Sequence, residues 1–313
     1  MKILLTDCTL AELDAYDAEP GRLFQLLREL EKLPVAALEL SSAVYRKLRP
    51  FAIFSGAKKA YFLRIRYEEE QSLYPGFAGY LMLDREPREA GEAERFCCID
   101  EKNALMFYRL RGYCKCTGIV GRSVLSVLAA QKDSFELAPL DQYHCATALA
   151  MEWMMQGGCR VAGALAGMGG CACLEEILAA LHARKMADFS GSLLALPRAK
   201  HYLEQITGKC IPKKKPVLGQ DIFAVEAGIH VDGLQKSSEL YEPYPPALVG
   251  LERRIVMGKY SGRRAVSIKA QEMGIELRPG QAEKILACLQ EYCTVTRHSP
   301  GDEEFCELIR AEG

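Results

Sequence analysis

The chain has 313 residues, 49% of them hydrophobic, which is enough to fill one large core and a smaller one. Forty Lys and Arg against 41 Asp and Glu leave a formal charge of -1, so no overall field favours nucleic acid or an anionic membrane surface. Thirteen cysteines are an odd number in a long chain, and their spacings ("CC" at 97, "CKC" at 114, "CAC" at 171) fit neither a secreted disulfide framework nor a CxxC zinc knuckle. Reduced thiols and a cytoplasmic location are expected. The opening "MKILLTDCTL" has too short an apolar run for a signal peptide or a membrane span.

In chain order, short apolar runs alternate with helical patterns. The strand-like "ILLTDC" (3–8) leads to "PGRLFQLLRELEKL" (20–33), whose leucines fall at helical spacing, and then to "VAALELS" (35–41). Further strand-like runs lie at 61–67, 79–84, 95–100, 116–121, 134–140 and 160–167. Helical patterns separate them, faint at 68–75 and 85–93 and clear at 101–112, 122–131, 144–157 and 173–185. Eight strand–helix units predict a closed parallel (β/α)8 TIM barrel, since each parallel strand needs a crossover and eight strands close such a sheet. The pattern alone also admits an open doubly wound sheet. Residues 1–187 are few even beside the roughly 200 at the lower end of this barrel class, so a shortened barrel is expected.

After residue 187 the character changes. A helical piece near 198–207 precedes "GKCIPKKKPVLG" (208–219), read as a solvated Pro/Lys-rich connector. Then come "AVEAGIHVDGLQKSSELYEPYPP" (224–246) and a final helical pair from about 280 to 313. Residues 188–313 are thus expected to form a linker, an arm and a helical subdomain.

The run "VEAGIHVDGLQKSSELYEPYPPALVGLERRIVMGKYSGRRAV" (225–266) resembles the region after the barrel in homocitrate synthases and their isopropylmalate and citramalate synthase relatives, and "TDCTL" (6–10) resembles that superfamily's first-strand signature. The resemblance implies a Claisen-type condensation: a divalent metal at the barrel mouth chelates a 2-oxo acid, and the methyl carbon of acetyl-CoA attacks the polarised carbonyl. It further implies that His230, with Tyr241 near it, is carried on an arm that reaches into a neighbouring subunit's barrel.

The barrel half departs from that family. Ala11 stands where a substrate-binding arginine is implied, while Glu12 keeps the place of a metal ligand. Gly118 and Ile119 replace an Asp-Thr pair, Ala138 and Leu140 replace a metal-binding His-x-His, and Ala166 replaces an asparagine. The following loop, "GMGGCACLEE", is short; its Gly167, Gly169 and Gly170 either cradle a phosphate or pantetheine through backbone N–H groups or let strand and helix approach closely. Asp7, Asp141 and His144 are the candidates for a relocated metal set with Glu12; helix capping is the ordinary use of Asp141. "GKYSGRRA" (258–265) either touches acyl-CoA phosphates or caps a helix.

These losses argue that this chain's own barrel does not hold the metal. The expectation is a catalytically degenerate subunit in a homodimer, or in a heterodimer with an intact paralogue that it serves through His230. The alternative is a pseudoenzyme with a regulatory or structural role, in which the arm simply packs a dimer. Whether the chain is an enzyme, with acetyl-CoA and a 2-oxo acid as substrates, is left open by the residues; no nucleic acid or membrane partner is expected.

Overall fold

The computed structural model describes residues 3–54, 58–65, 74–85, 93–112, 125, 128, 130–186, 191–226, 230, 233–234, 236–311, and these form two compact units divided between Leu218 and Gly219. In the first unit the strands are β1 (Leu4–Asp7), β2 (Ala37–Ser41), β3 (Ala60–Ile65), β4 (Gly79–Arg85), β5 (Glu94–Ile99), β6 (Leu105–Arg111), β7 (Phe135–Ala138) and β8 (Arg160–Gly163). They close into a barrel in that order, with β8 returning in parallel to β1 through Leu4 opposite Arg160 and Asp7 opposite Gly163. The expected eight-stranded barrel is therefore present.

One strand departs from the parallel pattern. β5 runs antiparallel to both β4 and β6, so these three form a meander within an otherwise parallel barrel. The segment 86–93 is shorter than the dozen or so residues a parallel crossover needs. The helix expected over 101–112 is β6 instead, joined to β5 by a tight turn: Asp100 Oδ1 accepts from the N–H of Lys102 and of Ala104, both at 2.8 Å, and Asn103 takes a left-handed conformation at φ 61°. The strand expected at 116–121, with Gly118 and Ile119, lies outside the described residues, as do most of 68–75 and 85–93.

The helices follow the apolar spacing. In α1 (Pro20–Leu30) a proline starts the helix and Leu23, Leu26, Leu27 and Leu30 make one buried face. Ser41 ends β2 and caps α2 (Ser42–Leu48) by accepting from Val44 N–H at 3.2 Å. α3 (Ala146–Met155) links β7 to β8, α4 (Leu174–Ala183) follows β8, and α5 (Leu196–Thr207) packs against α1. The unit that holds the barrel thus runs on past residue 187 to Leu218.

Strand registers stack the lumen in layers. Near the floor Ala37, Phe62, Leu81, Phe96, Cys98 and Phe107 form a buried apolar cluster. Two residues further along β2, β3 and β6, toward the mouth, the same inward face carries Glu39, Arg64 and Arg109.

The second unit has its own core of Met257, Ala265, Val266, Ala270, Ile285, Leu289, Cys293, Phe305 and Ile309. It is built from α6 (Arg263–Glu272), α7 (Gln281–Thr296), α8 (Asp302–Ala311) and the short parallel pair β9 (Ala224–Val225) and β10 (Arg254–Ile255). Among the described residues no helix is long and apolar enough to cross a membrane.

Candidate active-site mouth of the barrel

The inward face supplies alternating charges. Glu136 on β7 accepts from Thr6 Oγ1 and from Arg109 Nε, both at 2.6 Å. Arg109 also pairs with Glu39, which accepts from Arg64 Nε at 2.6 Å. Arg64 Nη1 reaches Glu12 Oε1 at 2.8 Å, Arg111 Nη2 lies 3.2 Å from both Glu12 oxygens, and Arg111 Nη1 lies 3.1 Å from Glu94 Oε2. The ladder Glu136–Arg109–Glu39–Arg64–Glu12–Arg111–Glu94 thus climbs from the buried lumen to the rim, where Glu94 is about one third exposed. Burial alone would push Glu39 up, but Arg109 and Arg64 outweigh it and hold its carboxyl below the ordinary value.

Glu12 sits on the short turn after β1 (Leu10–Glu12), its side chain only 10% exposed. The loop after β8 closes over it. Gly169 has φ +65°, and a Cβ there would lie 2.2 Å from Glu12 Oε2, so only glycine lets the loop lie against this carboxylate. A Cβ at Gly167 would meet Cys173 Sγ at 3.1 Å, whereas one at Gly170 would meet open space. Of the residues singled out in the sequence, Glu12 and the glycine loop are brought together; His230 and Tyr241 lie in the other unit.

The resemblance implies a divalent metal on Glu12, and the residues present do not fit one. Both carboxylate oxygens already face guanidinium groups. Ala138 is buried at the end of β7, and Leu140 pairs with Cys171 in an isolated bridge. Asp7 turns back on Thr9, accepting from its N–H at 2.9 Å and its hydroxyl at 2.5 Å, and burial pushes its carboxyl up to about 6. Asp141 Oδ1 accepts from the N–H of Ala146, the first residue of α3, at 2.9 Å, and His144 is nearly fully exposed. Among the described residues, the donors left beside Glu12 are two thiols, Cys8 and Cys171, with sulfurs 3.8 Å apart. The hydrogen bond with Cys171, together with burial, raises the Cys8 thiol well above its ordinary value, which keeps it protonated.

A second polar cluster pins the connector. Lys215 Nζ donates to Glu176, lies 3.2 Å from Cys173 Sγ and 3.4 Å from Glu175 Oε1, so the Pro/Lys segment is anchored at Lys215 rather than freely solvated. Glu175 is fully buried and its Oε2 accepts from the N–H of Ala166 at 2.8 Å, holding the left-handed turn (φ 56°) that opens the glycine loop. Burial pushes its carboxyl up to about 7.

In the second unit His230 and Tyr241 are neighbours, ring centroids 5.8 Å apart and planes tilted by 48°. Both are exposed, Tyr241 by 47%. The tyrosine ring lies over Gly233, where a Cβ would fall 2.3 Å from Cζ.

Sequence reading missed the arginine ladder. Its signal was present: a single charge at every second position of apolar strands, as in "VAALELS", "YFLRIRY" and "LMFYRLR". In a barrel strand such a residue faces either solvent or the lumen, and opposite charges on neighbouring strands mark the lumen.

A closed barrel with a charged mouth and a separate helical unit defines the class, and the comparisons narrow it. Residues 217–297 match the domain family described as homocitrate synthase post-HMGL domain-like. The chain is 31% identical over 139 residues to the homocitrate synthase omega subunit of Clostridium pasteurianum, an alignment covering 44% of this chain and 40% of that one. It is 36% identical over 141 residues to the (R)-citramalate synthase CimA of Methanocaldococcus jannaschii, covering 45% and 28% respectively. It is 30% identical over 175 residues to homocitrate synthase 1 of Nostoc sp., covering 55% and 46%. The matched region thus spans less than half the length of these curated relatives. Among solved structures, the carboxyl transferase domain of Rhizobium etli pyruvate carboxylase aligns with a TM-score of 0.47 at 12% identity, over 95% of this chain and 61% of that one. Hydroxymethylglutaryl-CoA lyase from Pseudomonas aeruginosa aligns at 0.38 and 11%, over 66% and 94%. The matched regions are thus similar to homocitrate and citramalate synthases, the likeness that residues 225–266 carry in the sequence.

Proposed function

We propose that this chain is a homocitrate synthase-like subunit whose own barrel is catalytically degenerate and which acts with an intact paralogue through its C-terminal arm. The observation that carries this is a contrast between the two units. At the mouth of the barrel Glu12 is neutralised by Arg64 and Arg111, while the second unit presents His230 and Tyr241 together and open to solvent. An exposed imidazole beside a phenol is free to exchange protons with a group that a second surface brings to it. The relative named as an omega subunit supports a role as one component of a multi-subunit synthase. Acetyl-CoA and a 2-oxo acid would then be substrates of the assembly, with the metal held by the partner's barrel.

The test follows thiol release from acetyl-CoA with 2-oxoglutarate, pyruvate or 2-oxoisovalerate, for the chain alone and mixed with an intact homocitrate synthase from the same source. Expected is silence alone and a changed partner rate in the mixture, with that change lost in His230→Ala. Metal-dependent turnover by the chain alone would refute the degenerate barrel. An unchanged partner rate would leave only the structural reading.

A further inference from the structure

We infer that Arg64 and Arg111 are the resident cation of this barrel: their guanidinium groups take on Glu12 the place a divalent ion holds in the family, and close the mouth without metal. The inference depends on the family reading only for where a metal would sit; the rest comes from geometry.

Glu12 is nearly buried, and a buried carboxylate must find positive charge or take up a proton. Here it finds two guanidiniums, one on β3 at 2.8 Å and one on β6 at 3.2 Å, so charge reaches it from two strands that are not neighbours in the barrel. Each arginine is also held from its other side, Arg64 by Glu39 and Arg111 by Glu94. The ladder holds four carboxylates and three guanidiniums. A divalent ion added at Glu12 would meet two positive charges within a few ångströms.

The same geometry says what the arginines hold back. One ligand atom from each of Cys8, Glu12 and Cys171 lies within 4.8 Å of the other two, a sulfur-rich set that suits zinc far better than magnesium or manganese. With both guanidiniums removed, this set is released to bind zinc.

The experiment uses the full chain and reads thermal unfolding and bound metal after dialysis against zinc, manganese or magnesium. An ion bound at roughly a hundred times its Kd raises the unfolding temperature by several degrees, so binding is readily seen. For the wild-type chain the expected result is no shift with any of the three ions, no shift with chelator, and no retained metal. The double variant Arg64→Met/Arg111→Met is expected to unfold at lower temperature, to recover stability with zinc and to retain about one equivalent of it, and to lose this response when Cys8→Ser is added. Where the double variant does not fold, Arg64→Gln/Arg111→Gln, which removes both charges and keeps polar amides at the two positions, is read in the same way, with the same zinc response expected. A wild-type chain that retains metal and releases it on Glu12→Gln overturns the inference, as does a folded arginine-free variant indifferent to zinc. Either result is independent of the partner assay, which reads the second unit.

Discussion

Glu175 shows how one buried side chain can set a pH response. Its carboxyl titrates near 7 in the folded chain against an ordinary 4.5, because burial disfavours the charged form. The folded state therefore binds this proton more tightly than the unfolded state does. The stability gained is fully present below 4.5 and is lost as pH rises through about 7. Asp7, pushed up to about 6 from 3.8 by burial, acts in the same direction in a lower window. Glu175→Gln keeps an oxygen for the Ala166 N–H and has no proton to lose. Urea unfolding of this variant across pH is expected to show a flatter stability profile, with the difference from wild type growing from pH 4.5 to about 7 and levelling above it. A slope unchanged from wild type would mean that another group carries the response.

At the scale of elements, the barrel was legible and the reversed direction of β5 was not. Leucines at helical spacing gave α1, and the apolar runs gave β1–β5, β7 and β8, because buried strands leave a short apolar signature. β6 was read as a helix, since "EKNALMFYRLRG" has charges at both ends and no glycine or proline inside. The alternation of Phe107, Arg109 and Arg111 on one face was the competing signal, and pairing with β5 decided it. At the site, Glu12 and the glycine loop could be found from sequence, while the arginines could not be assigned a partner before the registers of β2, β3 and β6 were known. The ladder is also an energetic commitment. Arg109 is 1% exposed and holds both Glu39 and Glu136. Arg109→Leu would leave buried Glu136 without its cation and Glu39 with Arg64 alone, and breaking such a pair costs about 3–5 kcal/mol. Urea denaturation should show a loss of that order. Adding Glu39→Gln and Glu136→Gln should restore part of it, because the stranded charges are then gone.

For the whole molecule, each unit carries its own core, and the second needs no strand from the first for the packing of Val266, Leu289 and Phe305. Residues 219–313 expressed alone are expected to fold with a cooperative thermal transition and helical circular dichroism. A non-cooperative melt would show that this unit borrows stability from elsewhere. The meander of β4, β5 and β6 has a further consequence, for the route by which the barrel forms. Its pairing of Ile99 with Leu105 closes a loop of a few residues, whereas the β1–β8 seam brings Leu4 to Arg160. The difference is about five doublings of loop length, or ~3 kcal/mol of chain entropy. A reversed strand thus gives this chain an inexpensive local start, and leaves the seam between its first and last barrel strands as the most entropically demanding pairing to make.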